Sequence, residues 1–369
     1  MIYRHILTKE NARILITGDS LAYNRYGYDP TGRLNAWDCG AGLPSWAFSL
    51  RDRIFSLDPQ FILGADLFAD CPYVLGLDNN SEVPFTALFS GRIKTLCPQG
   101  QASVSVPVNG SRIILYLQRR KENSCVFDIF VDGVPVLADV DTAGDVAEFA
   151  GYGLMTLALP CDAARDSHTV TFRNIRGESP KITLAAAGSR QIHVDLTGKG
   201  GECTDYFVEH FQERIGFFKP DLLIVTLGAN DRGYRSVFDM QDSLVKLFSL
   251  VFADSPDCSI LFLLPPPAHD PAHPEENVMP YCSLMLSECY DRAIEAVCRN
   301  LGKAGYACDG LDSSRQYPIE TFRLSAIFRD LPVSDWRFDN IHLNPQGNQL
   351  LLEALCEKLG LGSIPEEKL

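Results

Sequence analysis

Ile14-Leu15-Ile16-Thr17-Gly18-Asp19-Ser20 places a serine directly after a short run of apolar and β-branched residues. Such a run is typical of a buried strand, and the glycine permits a tight turn where the strand ends. The strand would fix the backbone of Ser20, while the turn would raise its hydroxyl to the edge of the sheet. Ser20 is therefore a candidate nucleophile, but many strand-to-turn junctions without a catalytic role carry the same residues.

Two later segments supply the residue types that a serine nucleophile needs. Gly228-Ala229-Asn230-Asp231 follows an apolar run, and Asp339-Asn340-Ile341-His342 precedes the last helical pattern. Acyl transfer requires a base, a group that orients the base, and hydrogen-bond donors for the oxyanion. His342 can act as the base, Asp339 can orient its imidazole, and the Asn230 amide can donate to the oxyanion. The three segments together predict a hydrolase site that is divided along the chain.

Composition and charge limit the classes of function. The chain has 369 residues, of which 46% are hydrophobic and 22% charged, so it can form one large globular domain or two ordinary ones. A net charge of −14 argues against nucleic acid or an anionic membrane as the main partner. The N-terminal residues lack the apolar core of a secretory signal, and no apolar run has the length of a membrane span. We expect a cytoplasmic protein that acts on a small-molecule or oligosaccharide ester, as a monomer or as a homo-oligomer.

Neither a metal site nor a disulfide framework is expected. The twelve cysteines include no Cys-x-x-Cys pair, and several lie in apolar runs, which is typical of buried, reduced thiols. His269 and His273 are four residues apart, but Pro271 lies between them and opposes the helix that would align them. The predicted chemistry needs no cofactor.

The middle of the chain has a different pattern from its ends. Alternating apolar and polar residues recur at 103–106, 113–117, 126–131 and 168–172, and Asp132-Gly133 between two such segments is a hairpin signal. These features predict an inserted antiparallel β-sandwich domain at residues 72–189. Residues 1–71 and 190–369 would then form one hydrolase domain.

In that hydrolase domain, apolar strand patterns alternate with amphipathic helices. The predicted strands lie at residues 14–17, 191–195, 221–227, 259–264 and 307–312. This alternation predicts a parallel sheet with helices on both faces, whose ligand site lies at the carboxyl ends of the strands. Asn344 and Pro345 predict the start of the last helix, as its cap and first residue.

The motifs in this order resemble the SGNH (GDSL-type) hydrolase superfamily. Its four sequence marks are matched by Gly18-Asp19-Ser20, Gly200-Gly201-Glu202, Gly228-Ala229-Asn230-Asp231 and Asp339-Asn340-Ile341-His342. Gly198, Gly200 and Gly201 all compete for the second mark. Gly201 is preferred, because Gly-Glu-Cys-Thr is the better match to the family's Gly-Asp-x-Thr pattern.

The resemblance implies a fold, a site and an activity. The fold would be a three-layer α/β/α, flavodoxin-like parallel sheet, with the β-sandwich as an addition to the minimal family. The catalytic residues would be Ser20, Asp339 and His342, and the oxyanion hole would comprise Ser20, Gly201 and Asn230. Family members with added β-domains are similar to carbohydrate esterases, so an acetylated carbohydrate is the expected substrate. A lipase or thioesterase for longer acyl chains and a non-catalytic glycan-binding module are the alternatives.

Four further residues are candidates for the substrate-binding region. Asp19 and Asp231 adjoin Ser20 and Asn230, where they can also brace their own turns. Tyr23 and Trp37 lie in the long loop predicted at residues 21–43, after Ser20. Their rings can either stack on a sugar or pack beneath that loop.

Overall fold

The computed structural model describes residues 2–23, 27–28, 34–35, 45–67, 94–96, 101–121, 124–144, 152–177, 182–266, 284–303, 311–328, 331–337 and 342–362. The chain divides into two compact units. The first comprises Met1–Ile54 and His193–Leu369, and the second comprises Phe55–Ile192. Within the described ranges, no helix is both long enough and apolar enough to cross a bilayer.

The α-helices and strands are numbered in chain order. The helices are α1 (Ile2–Thr8), α2 (Ser20–Tyr23), α3 (Trp46–Phe55), α4 (Gly64–Leu67), α5 (Thr204–Glu209), α6 (Phe211–Arg214), α7 (Asp231–Tyr234), α8 (Val237–Asp254), α9 (Leu284–Leu301), α10 (Leu324–Phe328), α11 (Val333–Trp336) and α12 (Pro345–Leu359). The strands are β1 (Ala12–Gly18), β2 (Gly27–Tyr28), β3 (Leu34–Asn35), β4 (Ile62–Leu63), β5 (Lys94–Leu96), β6 (Gln101–Val106), β7 (Arg112–Arg120), β8 (Val126–Val131), β9 (Val134–Asp141), β10 (Tyr152–Pro160), β11 (His168–Arg176), β12 (Ile182–Gly188), β13 (Ile192–Leu196), β14 (Leu222–Thr226), β15 (Ser259–Leu264) and β16 (Ile319–Arg323).

The first unit is built on a five-stranded sheet with the order β13-β1-β14-β15-β16. The β1–β14, β14–β15 and β15–β16 pairs are parallel. Counted along the chain, this is the order 2-1-3-4-5 of flavodoxin-like, doubly wound folds, which confirms the predicted fold class. The order reverses beside β1, and ligands of such folds bind at this reversal, outside the carboxyl ends of the strands.

Both faces of this sheet are apolar. Leu15 of β1 and Leu223 of β14 belong to a buried cluster to which α5, α8 and α9 contribute Phe207, Leu244 and Ile294. Adjacent residues of a strand point to opposite faces, so Ile14 and Ile224, which are also buried, face the other way. Two apolar faces require a layer of helices on each side, which is the predicted three-layer arrangement.

The strand at the sheet edge differs from the prediction. The fifth strand is β16, whereas Leu311 and Asp312, the described part of predicted strand 307–312, are not in a strand. Residues 304–310 lie outside the described ranges. Every residue of β16 is at least partly exposed, so this segment lacks the continuous apolar run that identifies a central strand.

The second unit is a β-sandwich, as predicted. One sheet has the order β10-β7-β12-β4, with β5 also paired to β12, and the other has the order β6-β11-β8-β9. Side chains of both sheets share one apolar core, in which Phe127 and Phe172 meet edge to face with ring centroids 5.2 Å apart. The Asp132-Gly133 hairpin is confirmed: Val131 pairs with Val134, and both turn residues have positive φ, as a type I′ turn requires.

The two ends of the second unit are fastened to each other. The buried Asp58 carboxylate accepts hydrogen bonds from the Ser189 N–H and hydroxyl, both at 2.7 Å, and from the Arg190 N–H at 2.9 Å. In addition, Leu63 of β4 pairs with Ala186 of β12. The unit therefore begins before residue 72, because the segment after α3 pairs with the last strand of the sandwich.

A single methyl group at Gly64 should destabilise the sandwich. A Cβ at this position would lie 1.7 Å from the backbone oxygen of Leu184, and a backbone atom cannot move aside as a flexible side chain can. We expect Gly64→Ala to lower the free energy of unfolding by about 3 kcal/mol, the upper range for overpacking. Urea unfolding followed by far-UV circular dichroism measures the loss. Gly133→Ala is the control: its φ of +82° adds a backbone penalty that Gly64 does not have, but no atom lies within 4 Å of its Cβ position, so its loss of stability should be smaller. Equal stability of Gly64→Ala and the wild type would contradict this packing.

Candidate active site

Ser20 is held at the end of β1 by a turn that only glycine permits. Gly18 has a φ of +137°, and a Cβ there would lie 1.9 Å from the Thr226 carbonyl oxygen. The same oxygen accepts the Asp19 N–H at 3.0 Å, so the turn is bonded to the neighbouring strand β14. Ser20 follows as the first residue of α2 and is 8% exposed. The strand end thus holds the serine in one position while part of it remains accessible.

His342 lies beside Ser20. Its Nε2 is 2.8 Å from the Ser20 hydroxyl oxygen, although the two residues are 322 positions apart in the chain. Two contacts close the loop that carries the histidine: Arg337 and Leu343 form an antiparallel bridge, and the Asn344 N–H donates to the Trp336 carbonyl at 3.0 Å. Asn344 also caps α12, since its side-chain oxygen accepts the Gly347 N–H, which confirms the predicted cap. Asp339, the predicted orienting carboxylate, lies outside the described residues.

The loop after β13 adjoins the serine. A Cβ on Gly200 would lie 3.7 Å from the Cβ of Ser20, so this glycine is in direct proximity to the serine. Gly201, the predicted oxyanion-hole residue, has a φ of +82° and open space around its Cβ position. The next residue, Glu202, accepts a hydrogen bond from the Asn230 side-chain amide at 2.9 Å. The structure therefore brings the second and third predicted segments together, and of the adjacent pair Gly200 and Gly201 it is Gly200 whose Cβ position contacts Ser20.

Asp19 is completely buried behind the serine. Its Oδ1 accepts the Leu21 N–H at 2.9 Å and so closes the turn at the start of α2. Burial raises the pKa of Asp19 to about 7; the Asp231 charge adds to this rise, while His342 and backbone N–H groups oppose it. Asp19 therefore braces the nucleophile turn from inside the protein rather than presenting its carboxyl to solvent.

Asp231 is also buried, at 1% exposure. Both of its oxygens lie 3.2 Å from the Thr204 N–H, and Oδ2 accepts the Thr204 hydroxyl at 3.0 Å. Burial raises the pKa of Asp231, and the bonds from Thr204 oppose that rise. Like Asp19, it faces the protein, in agreement with the bracing role weighed for both residues from the sequence.

The side chains of the other two substrate-binding candidates lie outside the described part of the structure. Tyr23 is the last residue of α2, but its side chain is not among those described, and Trp37 lies outside the described residues. The described residues contain no group of three His, Cys, Asp or Glu side chains suited to a metal ion.

Arg232 is a buried residue of this region that the sequence did not single out. Its guanidinium donates to the Pro266 carbonyl at 2.9 Å and forms an ion pair with Asp291 of α9 at 2.8 Å. Its position directly after the Asn-Asp pair is the only sequence signal it offers, because both partners are distant in the chain.

No protein-family model and no curated protein matches this chain. Several solved structures do match. A GDSL-like lipase from Parabacteroides merdae is 17% identical with a TM-score of 0.36, covering 47% of this chain and 75% of that one. A structure described as a peptidoglycan O-acetylesterase is 11% identical with a TM-score of 0.44, covering 97% of this chain and 94% of that one. An acetyl xylan esterase from Geobacillus stearothermophilus is 17% identical with a TM-score of 0.35, covering 47% and 76%. All three TM-scores are below 0.5, so only the geometry of the site bears on the function of this chain.

Replacement of Asp19 should change how stability depends on pH. The native pKa of about 7 lies above the ordinary value of 3.8, so between these values the native state holds a proton that the unfolded chain releases. Wild-type stability should therefore fall as pH rises from 5 to 8, by up to about 3 kcal/mol from this group. Asp19→Asn cannot ionise and should lack this contribution.

Thermal unfolding at pH 5 and pH 8 tests the expectation. The Tm of Asp19→Asn minus that of the wild type should increase with pH, whatever its sign at pH 5. Asp242→Asn, which removes an exposed carboxylate of α8, is the control for loss of one charge. A difference that is the same at both pH values would show that Asp19 is not protonated in this range.

Proposed function

We propose that this chain is a serine hydrolase of carboxylic esters that works through an acyl-enzyme. The observation that carries the proposal is the 2.8 Å contact between the Ser20 hydroxyl and His342 Nε2, at the carboxyl end of β1. A serine and a histidine in hydrogen-bond contact, both partly accessible, form the nucleophile and base of acyl transfer. The reversal of strand order beside β1 is also where this fold type binds ligands.

In the first half of the proposed reaction, Ser20 attacks the ester carbonyl. His342 Nε2 accepts the hydroxyl proton as the new bond forms, and the carbonyl oxygen becomes the oxyanion of a tetrahedral intermediate. When the intermediate collapses, the ester C–O bond breaks and His342 returns the proton to the departing alcohol. In the second half, water attacks the acyl-serine with His342 again as base, which releases the acid and restores Ser20.

The proposed oxyanion hole consists of the Ser20 and Gly201 N–H groups and the Asn230 side-chain amide. Glu202 fixes that amide through one of its two hydrogens, and the other is available for the oxyanion. Gly200, which adjoins Ser20, is the alternative backbone donor. Asp339 is proposed to orient His342, as the motif resemblance implies. Such donors act mainly in the transition state, where the negative charge develops.

An acetylated carbohydrate is the proposed substrate, with a longer acyl ester as the alternative. Tyr234 and Phe238 support a ring-bearing substrate, because they are large, 70% and 77% exposed, and follow Asn230 closely in the chain. The Tyr234 N–H donates to the Asn230 carbonyl at 3.2 Å, so the backbone of this tyrosine is one helical turn from the proposed oxyanion donor. Exposed aromatic faces are apolar surfaces on which the C–H groups of a sugar ring can pack.

Loss of the Ser20 hydroxyl should abolish ester hydrolysis. We expect Ser20→Ala to reduce kcat for p-nitrophenyl acetate by on the order of 10⁴-fold or more, because no nucleophile remains. His342→Ala should cause a loss of similar size, since the two residues act as one unit. A thermal melt close to that of the wild type confirms that each variant is folded. Turnover near the wild-type rate by folded Ser20→Ala would rule out this mechanism. If neither the wild type nor Ser20→Ala hydrolyses any ester, a non-catalytic binding module would be favoured.

Replacement of the exposed aromatic residues should distinguish recognition of the carbohydrate from recognition of the acetyl group. We expect Tyr234→Ala and Phe238→Ala to raise KM for an acetylated xylo-oligosaccharide several-fold, and to leave kcat/KM for p-nitrophenyl acetate nearly unchanged. Leu250→Ala is the matched control, because this exposed apolar residue lies at the far end of the same helix α8 as Phe238. Unchanged KM for the oligosaccharide in both variants would contradict the carbohydrate assignment. A kcat/KM that rises with acyl length from acetate to octanoate would favour a lipase or thioesterase.

A further inference from the structure

Helix α5 begins without a cap of its own. Its N-cap residue is Cys203, whose side chain makes no capping hydrogen bond. The first N–H of the helix, that of Thr204, is instead within 3.2 Å of both Asp231 carboxylate oxygens, and the Thr204 hydroxyl donates to the same carboxylate. The cap is therefore supplied by a residue of another loop, 27 positions later in the chain.

The segment that this cap holds is the one beside the nucleophile. Immediately before Thr204 lie Gly200, which adjoins Ser20, and Glu202, whose carbonyl accepts the Asn230 amide. Residues 200–203 thus lie between Lys199, whose N–H donates to the Gly18 carbonyl at 2.8 Å, and Thr204, which Asp231 holds. Gly200 and Gly201 lack side chains that could restrain the backbone between these two ends.

Asp231 and Asn230 are adjacent and act on the same loop from one short helix. Asn230 binds the loop carbonyl of Glu202, and Asp231 binds the helix start two residues later. Asp231 and Thr204 are at most 1% exposed, so water cannot readily replace their mutual hydrogen bonds. The next residue, Arg232, contacts Pro266 and Asp291 instead, and so holds a different loop.

We propose that Asp231 is a positioning residue of the oxyanion hole, which it holds in register with Ser20 through Thr204 and residues 200–203. This role rests on the proposed function, because residues 200–203 have a catalytic purpose only if the chain is an esterase. Without that function, they only connect to the start of α5. Asp231 touches no substrate. Its effect is to keep the backbone N–H donors and the Asn230 amide directed at one point, as preorganised stabilisation of an oxyanion requires.

Enzyme kinetics on p-nitrophenyl acetate tests this role. Asp231→Ala should lower kcat by 10- to 100-fold and change KM less than threefold, because misplaced donors weaken the transition state and spare ground-state binding. Asp231→Asn keeps an acceptor for the Thr204 N–H and should stay within about tenfold of the wild type. Thr204→Val removes only the hydroxyl bond and should cause a smaller loss of kcat. If Asp231→Ala fails to fold, this loss of kcat in Thr204→Val tests the positioning role instead.

A double-variant comparison with Asn230 shows whether the two residues act on one structure. The loss of kcat in Asn230→Ala/Asp231→Ala should be smaller than the product of the two single losses. Ser236→Ala is the control, because it removes the side-chain cap of α8, where Ser236 accepts the Asp239 N–H at 3.1 Å, and the described bonds of the Ser236 side chain are both to Asp239. It should lower Tm and leave kcat unchanged. If Asp231→Ala behaves like this control, or if the two single losses multiply, the proposed role is wrong.

Hydrogen exchange separates this inference from the proposed function. The amides of residues 200–204 should exchange faster in Asp231→Ala than in the wild type, while those of β14 stay protected. Unchanged exchange in this loop would overturn the positioning role even in an active esterase. Faster exchange in a chain that hydrolyses no ester would instead leave Asp231 as the loop's anchor, contradict its catalytic purpose and refute the proposed function.

Discussion

The close approach of β1 and β14 at their carboxyl ends is the constraint on which the site depends. Gly18 leaves no space for a side chain against the Thr226 carbonyl, and Asp19 donates its N–H to that same oxygen. Two backbones in direct contact cannot slide or separate without loss of a buried hydrogen bond. Ser20 and Asn230, which follow these two strand ends, therefore emerge side by side, and the remaining groups are placed relative to them.

Buried polar contacts fix the loops around the strand ends, which the sheet alone does not position. The side chains of Asn230, Asp231 and Arg232 reach, in turn, a carbonyl of the β13 loop, the start of α5, and the loop after β15. Burial raises the pKa of Asp291, the ionic partner of Arg232, and the guanidinium opposes that rise. A buried polar group without partners would cost free energy, so each of these contacts discriminates against displaced loop positions. Apolar packing sets the layers of the fold, whereas these bonds set the positions of individual atoms.

The sequence predicted the central strands and the nucleophile turn because their signals are local. The runs that became β1, β14 and β15 are apolar on both faces, and the Asn344-Pro345 helix start depends only on neighbouring residues. The edge strand β16 was not predicted, since a strand open to solvent needs no apolar run.

The site could be predicted in its residue types but not in its connections. The proximity of Ser20 and His342, which are 322 positions apart, was indicated only by the order of the motifs along the chain. The choice between Gly200 and Gly201 depends on backbone angles, and the partners of Asp231 and Arg232 come from distant segments. The start of the sandwich at Phe55 was missed for the same reason, because only the pairing of β4 with β12 reveals it.

The bonds from Asp58 to Ser189 and Arg190 have a consequence for how such a chain can acquire new parts. They hold the first and last residues of the sandwich close together. For the chain that continues on either side, the whole sandwich therefore spans a distance no longer than that of a short loop. The entropic cost of closing a connection depends on the distance its ends must span, and a folded module with adjacent ends keeps that distance small. A gene encoding such a module can be inserted into, exchanged within or deleted from a surface turn of a host protein, and the host's own strands need not be rearranged.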